Sequence, residues 1–335
     1  MGEHLGSALL AAYGVGGRLL TPFMPAILDR RGRRGLEDIA RRTERYGIAG
    51  APRPDRSVIW VHAASVGETS AVLPLIGRLT GAGWFVILTT ITVTGARTAA
   101  RNPPPGVLHQ FAPVDIRPWV ARFLDHWRPS LALFVESEVW PVSTDELARR
   151  NIPHVIVNAR ISEQSFRRWR VLGDAPRRIF GLISLALAQT GADAERMEKL
   201  GVRRVSPVGN LKLDAPPPAA DDDAVARFTA EIGNRPFLLA ASTHPGEEEV
   251  VADAHLALAD RYPGLTTAIV PRHPDRGPDI AELVATRDIA VTRRAQGEGM
   301  PAGGGIYVAD TLGELGLFYR LADVAFIGGS LVPIG

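Results

Sequence analysis

The chain has 335 residues, 46% of them hydrophobic and 22% charged, and a net charge of +2. That length allows two domains and the balance is that of a well-cored globular protein. So small a net charge gives no reason to expect a nucleic-acid partner, and a chain without cysteine has no disulfide, thiolate zinc site or cysteine nucleophile.

From the N-terminus, residues 5–28 are apolar but interrupted by Arg18, several glycines, Pro22 and Pro25. A clean spanning helix needs about 20 mostly apolar residues, so this is a poor one. It lacks the basic start and cleavage site of a secretory signal. Arg30, Arg31, Arg33, Arg34, Arg41, Arg42 and Arg45 follow. An apolar segment leading into an arginine cluster fits a membrane surface with anionic head groups. A core helix followed by a solvated basic helix is the plainer reading. Residues 1–50 are therefore expected to be a membrane-associating segment and a basic helix.

Strand patterns follow at 58–63, 85–90, 131–135, 154–157 and 182–188, with helical patterns at 68–79, 117–126, 144–150 and 193–200. This alternation predicts a parallel sheet covered by helices. Pro216–Pro218 then stiffen the chain, and Asp221, Asp222 and Asp223 read as the cap and first turn of a helix from about Ala224 rather than as metal ligands. Strands are expected again at 237–241, 267–270, 289–291, 306–308 and 324–327, with helices at 247–261 and 278–286. The division is an N-terminal domain at 51–214, a linker at 215–223 and a second domain at 224–335. The fold class is α/β, two Rossmann-like domains facing a cleft. The second domain reads as incomplete, because the crossover helix that should follow 324–327 is absent.

Ligands of such sheets bind beyond the carboxyl ends of the strands. Polar clusters fall at those ends: H-A-A-S-V-G-E-T from His62, E-S-E-V-W-P from Glu136, N-A-R-I-S from Asn158 and G-N-L-K-L-D from Gly209. Ser65 sits in an A-x-S-x-G turn like a hydrolase nucleophile. It follows the first strand, however, and no glycine-rich oxyanion segment precedes it, so a turn or cap role fits better. Glu68 is either a first-turn carboxylate favoured by the helix dipole or a general base, and the dipole should keep it ionised. Glu136 and Glu138 would share a side if the strand continued, one of them pairing with an arginine such as Arg160. Lys212, one of two lysines in an arginine-rich chain, lies where a point charge can meet a phosphate oxygen. In the second half Arg272 and His273 follow a strand. Gly328, Gly329 and Ser330 form a turn able to offer N–H groups to an anion. Leu312, Gly313 and Glu314 open a helix that can cradle a phosphate; ordinary turn and cap chemistry accounts for all three equally well. No histidine or carboxylate spacing suggests a metal.

Eight blocks in order, I-W-V-H-A-A-S-V-G-E, E-S-E-V-W-P, N-A-R-I-S, G-N-L-K-L-D, S-T-H-P-G-E-E-E, P-R-H-P-D-R, D-T-L-G-E-L-G-L-F-Y and F-I-G-G-S-L-V, resemble the 3-deoxy-D-manno-octulosonic acid (Kdo) transferases of lipopolysaccharide assembly. The resemblance spans nearly the whole chain. It implies a GT-B fold and inverting transfer of Kdo from CMP-Kdo, a substrate, to a lipid A precursor, without metal or other cofactor, at the cytoplasmic face of the bacterial inner membrane. It implies Glu68 as proton acceptor, Glu138 and Lys212 as transition-state stabilisers, and Pro271, Arg272, Leu312, Gly313 and Glu314 as CMP contacts. In the family an H-N-P-L-E segment that also binds CMP follows the G-G-S-L-V turn; here Gly335 comes first, and a truncated form of uncertain activity is expected. Alternatives are another GT-B enzyme, such as a nucleotide-sugar epimerase or a different transferase, a non-catalytic two-domain sugar-binding protein, or a non-catalytic remnant.

Overall fold

In a computed structural model, residues 2–101, 103–136, 139–214 and 220–333 are described. The chain divides into two compact units, Met1–Ala215 and Pro216–Gly335.

The first unit opens with α1 (Gly2–Leu20) and α2 (Met24–Gly32), joined by a 3₁₀ turn that begins at Thr21 and carries Pro22. β1 (Val58–His62), α3 (Val66–Gly81), β2 (Phe85–Thr90), α4 (Val93–Ala100), β3 (Val107–Phe111), α5 (Arg117–Trp127), β4 (Leu131–Val135) and α6 (Pro141–Arg149) follow. β5 (His154–Ala159), α7 (Glu163–Arg170), α8 (Ala175–Phe180), β6 (Leu185–Ala188), α9 (Gly191–Leu200) and β7 (Val205–Pro207) complete it. The seven strands are parallel in the order β3-β2-β1-β4-β5-β6-β7. Alternation along β1 sends Trp60 to one face, against Phe123 and Trp127 of α5, and Ile59 and Val61 to the other, against Val72 and Ile76 of α3.

The second unit runs α10 (Asp222–Ile232), β8 (Phe237–Thr243), α11 (Glu247–Ala259), β9 (Thr266–Pro271), α12 (Gly277–Ala285), β10 (Val291–Arg293), β11 (Gly305–Val308), α13 (Leu315–Leu321) and β12 (Val324–Ile327). Its five parallel strands are ordered β10-β11-β9-β8-β12. The strand order reverses between β1 and β4 in the first sheet and between β8 and β12 in the second, where β11 is also inserted between β10 and β9. Such reversals open a crevice at the carboxyl edge.

Several boundaries differ from the sequence reading. β3 and β7 were not expected: both are edge strands, one half-exposed with a histidine and a glutamine, the other three residues long. The expected strand at 182–188 starts only at Leu185, because Leu182 and Ile183 donate back to Ile179 and Phe180 and close α8. α6 begins at Pro141 rather than 144, as a proline is accommodated in a first turn.

The basic helix expected after residue 30 is also absent. α2 ends at Gly32 and a loop leads to a 3₁₀ turn, Arg42–Tyr46. The arginines there are spent inside the unit. Arg45 is buried against Glu37 at 2.8 Å, Arg31 meets the same carboxylate at 2.9 Å, Arg41 pairs with Glu44 at 2.8 Å, and Arg42 pairs with Asp29. Glu44 also accepts from the N–H of Phe111, which stitches the loop to β3. Gly47 closes the turn at φ 73°, where a Cβ would lie 2.0 Å from the Trp119 carbonyl oxygen. Arg30, Arg33 and Arg34 remain exposed. Among the described residues no helix is long and apolar enough to cross a membrane.

Candidate active site

Glu68 stands in the first turn of α3, at the reversal between β1 and β4. Ser65 is the N-cap: its Oγ accepts the Glu68 N–H at 3.3 Å and donates to Glu68 Oε1 at 2.9 Å. The Ala64 N–H donates to Oε2 at 2.8 Å. This is a capping box shifted by one residue, so Ser65 holds a carboxylate and is no nucleophile awaiting a base. The dipole argument predicts an acidic Glu68, yet its pKa is raised. Burial is the largest influence and outweighs the two donated hydrogen bonds; Glu136 raises it further and Lys212 opposes.

β4 stops at Val135, so Glu136 and Glu138 do not share a strand face. Glu136 adopts a left-handed conformation at φ 61°, a strain that a non-glycine residue keeps only where the surroundings enforce it. Its Oε1 lies 2.9 Å from Lys212 Nζ, an ion pair without hydrogen-bond alignment. Arg160 is exposed and is not the partner of Glu136. Glu138 lies outside the described residues.

Lys212 rides on a 3₁₀ turn, Leu211–Asp214, packed against α3. Asn158 at the end of β5 fixes that turn, its Oδ1 accepting the Leu211 N–H at 2.9 Å, while Asn210 Oδ1 accepts the Lys212 N–H at 3.0 Å. Asn158 too is left-handed, at φ 54°. Three distant blocks of sequence thus place Glu68, Glu136 and Lys212 together. Asn158→Ala should lower transfer about 10- to 100-fold by letting Lys212 drift. Asn158→Asp keeps the acceptor and should restore most of the rate; steady-state kinetics of the two variants checks this.

In the second unit Pro271 ends β9 and is buried, while the Arg272 side chain is exposed and its N–H donates to the Thr243 carbonyl at 3.0 Å. Leu312, Gly313 and Glu314 follow the neighbouring strand β11, so both groups share one stretch of the carboxyl edge. α13 starts at Leu315, with Glu314 as its N-cap. Arg294 clamps the Glu314 carboxylate at 2.6 and 3.1 Å, and Thr311 donates to it as well. The bond from Arg294 is the largest influence and holds the Glu314 pKa low.

The glycine turn differs from its expected role. The N–H groups of Gly329, Ser330 and Leu331 point at an anion, but that anion is Glu247, the first residue of α11. The His244 N–H adds a fourth donor at 2.9 Å. Burial alone would raise the Glu247 pKa; the four N–H groups together overcome it and hold the carboxyl low. This cradle occupies the reversal between β8 and β12. The triple glutamate at 247–249 is its main sequence sign, since three of the four donors lie more than 80 residues away. Among the described residues no group of His, Asp or Glu side chains is arranged to hold a metal ion.

A family model described as 3-deoxy-D-manno-octulosonic-acid transferase (kdotransferase) matches residues 40–215. A probable mitochondrial 3-deoxy-D-manno-octulosonic acid transferase of Arabidopsis thaliana is 34% identical over 96% of this chain and 73% of that protein. The 3-deoxy-D-manno-octulosonic acid transferase of Haemophilus influenzae is 35% identical over 88% of this chain and 70% of that one. The solved UDP-GlcNAc 2-epimerase of Neisseria meningitidis is 13% identical with a TM-score of 0.52, covering 81% of this chain and 77% of that one, a likeness of fold alone. The chain belongs to the 3-deoxy-D-manno-octulosonic acid transferase family and is a Kdo glycosyltransferase of the GT-B fold class.

Proposed function

We propose that the donor is CMP-Kdo and the acceptor a lipid A precursor, with inversion at the anomeric carbon and no metal or other cofactor. The observation that carries this reading is the buried Glu68 carboxyl beside the Glu136–Lys212 pair. Its raised pKa makes it a better base than an exposed carboxylate, and its two donors aim it without satisfying it. Glu68 takes the proton of the acceptor hydroxyl as the hydroxyl oxygen bonds to the Kdo anomeric carbon. The bond from that carbon to the CMP phosphate oxygen breaks, and the electron pair leaves with CMP. Lys212 offsets the charge that develops there, and Glu138 is assigned as a further transition-state stabiliser.

Pro271, Arg272, Leu312, Gly313 and Glu314 are proposed to hold CMP. Of about four acceptor positions on the Glu314 carboxylate, Arg294 and Thr311 fill three, which leaves one for a nucleoside hydroxyl. Attachment to the cytoplasmic face of the inner membrane draws support from exposed Leu19, Leu20, Phe23 and Ile27 beside exposed Arg30, Arg33 and Arg34. Incubation with CMP-Kdo and a tetraacylated lipid A precursor, followed by mass spectrometry, should show the acceptor gaining Kdo and free CMP accumulating. Transfer from CMP-Kdo to water alone would overturn the acceptor assignment.

A further inference from the structure

A cavity of about 270 Å³ opens at the carboxyl edge of the first sheet, on the face opposite α3. Trp60 and Phe134 line it from the sheet, and Met24, Ile27 and Leu28 of α2 line it from the other side. Arg31, Arg45 and Glu37 also line it; both guanidinium groups pair with Glu37, and Arg45 donates as well to the carbonyls of Ala112 and Ile91.

Two of the residues that line it carry a buried ring nitrogen with no partner among the described residues. These nitrogens are His62 Nε2 and Trp140 Nε1, on rings 6.0 Å apart and nearly perpendicular. His62 is 2% exposed. The Thr89 hydroxyl accepts the Trp60 N–H at 2.8 Å and lies 2.9 Å from His62 Nδ1, closer than the Val61 carbonyl at 3.4 Å. With that hydroxyl donating to Nδ1 the imidazole proton sits on Nε2; with it donating to the Val61 carbonyl the proton sits on Nδ1, and His62 is assigned neither role. Burial pushes the His62 pKa down to about 3, so the ring is neutral. An unpartnered Trp140 N–H beside an apolar cavity calls for an aliphatic ligand that carries an oxygen acceptor. The mouth adjoins exposed Phe23 and Ile27. His62 lies two residues before Ala64, whose N–H aims the base.

We propose that this cavity binds one acyl chain of the lipid acceptor, Trp140 Nε1–H donating to the acyl carbonyl. The proposal rests on the acceptor being a lipid. Binding of N-dodecanoylglucosamine, dodecyl glucoside and glucosamine to the full chain, below micelle formation, tests it by calorimetry. The two chain-bearing probes should bind, with the amide probe at least tenfold tighter, and glucosamine should not. Ala112→Phe, which fills the cavity, should weaken both tenfold or more. Trp140→Phe should erase the preference for the amide. Equal binding of all three probes, or a folded Ala112→Phe protein that binds as wild type, overturns the proposal. Should that variant not fold, a diazirine at the chain end serves on the wild type. Labelling of residues 24–31, 112–114 or 140–143 supports the cavity; labelling confined to residues 1–23 shows surface attachment only and overturns it. Glu68→Gln should bind the probes unchanged. Chain binding without transfer would overturn the proposed reaction and leave the cavity standing; transfer without chain binding would do the reverse.

Discussion

Replacing Glu68 by glutamine should lower Kdo transfer about a thousandfold while leaving CMP-Kdo binding near wild type. Glutamine keeps the shape and an acceptor for the Ala64 N–H, so the cap survives. What it loses is the ability to take a proton. Stability separates this from a purely capping role. Burial raises the Glu68 pKa, so the native state binds its proton more tightly than the unfolded chain does. As pH rises from the unfolded carboxyl range through the raised native pKa, ionised Glu68 costs stability, and the cost is complete above it. Glu68→Gln should therefore keep or slightly raise the melting temperature at neutral pH. A residue that served only as a cap would lower it. In the wild type, transfer should rise with pH through an ionisation above the usual carboxylate range, and that limb should vanish in the variant. Near-normal turnover by Glu68→Gln would end the base assignment.

Glu247→Ala should destabilise the second unit by about 3–5 kcal/mol, because four N–H groups lose their acceptor together. Glu247 is fully buried, and water cannot simply replace it. The pH dependence runs opposite to that of Glu68. The Glu247 pKa is depressed, so its contribution is present above the unfolded carboxyl range and is lost as pH falls through the native value. Acid should loosen the Gly328–Leu331 turn in the wild type and have a smaller further effect in the variant. Denaturant midpoints across pH measure both, and inorganic phosphate should stabilise the variant more than the parent. An unchanged midpoint at neutral pH would show that the cradle contributes little.

The central strands were legible because each is an apolar run ending in small or polar residues, as in Val58–His62. The edges were not, since an edge strand such as Val107–Phe111 is half-exposed and carries no continuous apolar signal. Glu68 and Lys212 could be singled out at strand ends. Their surroundings could not: the Lys212–Glu136 pair joins residues 76 positions apart, and the burial that reverses the expected shift of Glu68 is a tertiary property. The basic helix was misjudged for the same reason, because Glu37, Glu44 and Asp29 pair with arginines that composition counts as free. His62, a histidine inside an apolar strand, was the available hint of the cavity.

Both units use one plan at the place where strand order reverses: strand, Gly-Glu, helix. Residue type is the same and both stand in the first turn of a helix, Glu68 third and Glu247 first, so a first-turn glutamate does not by itself determine how strong an acid results. Burial and the facing loop do. Beyond β4 that loop offers Glu68 another carboxylate, and beyond β12 it offers Glu247 a row of N–H groups. Drift in the loop after β4 that turned its N–H groups toward α3 would convert the base into a fixed anion. Such a descendant would keep every motif residue and lose the chemistry, so motif matching alone would count it as active.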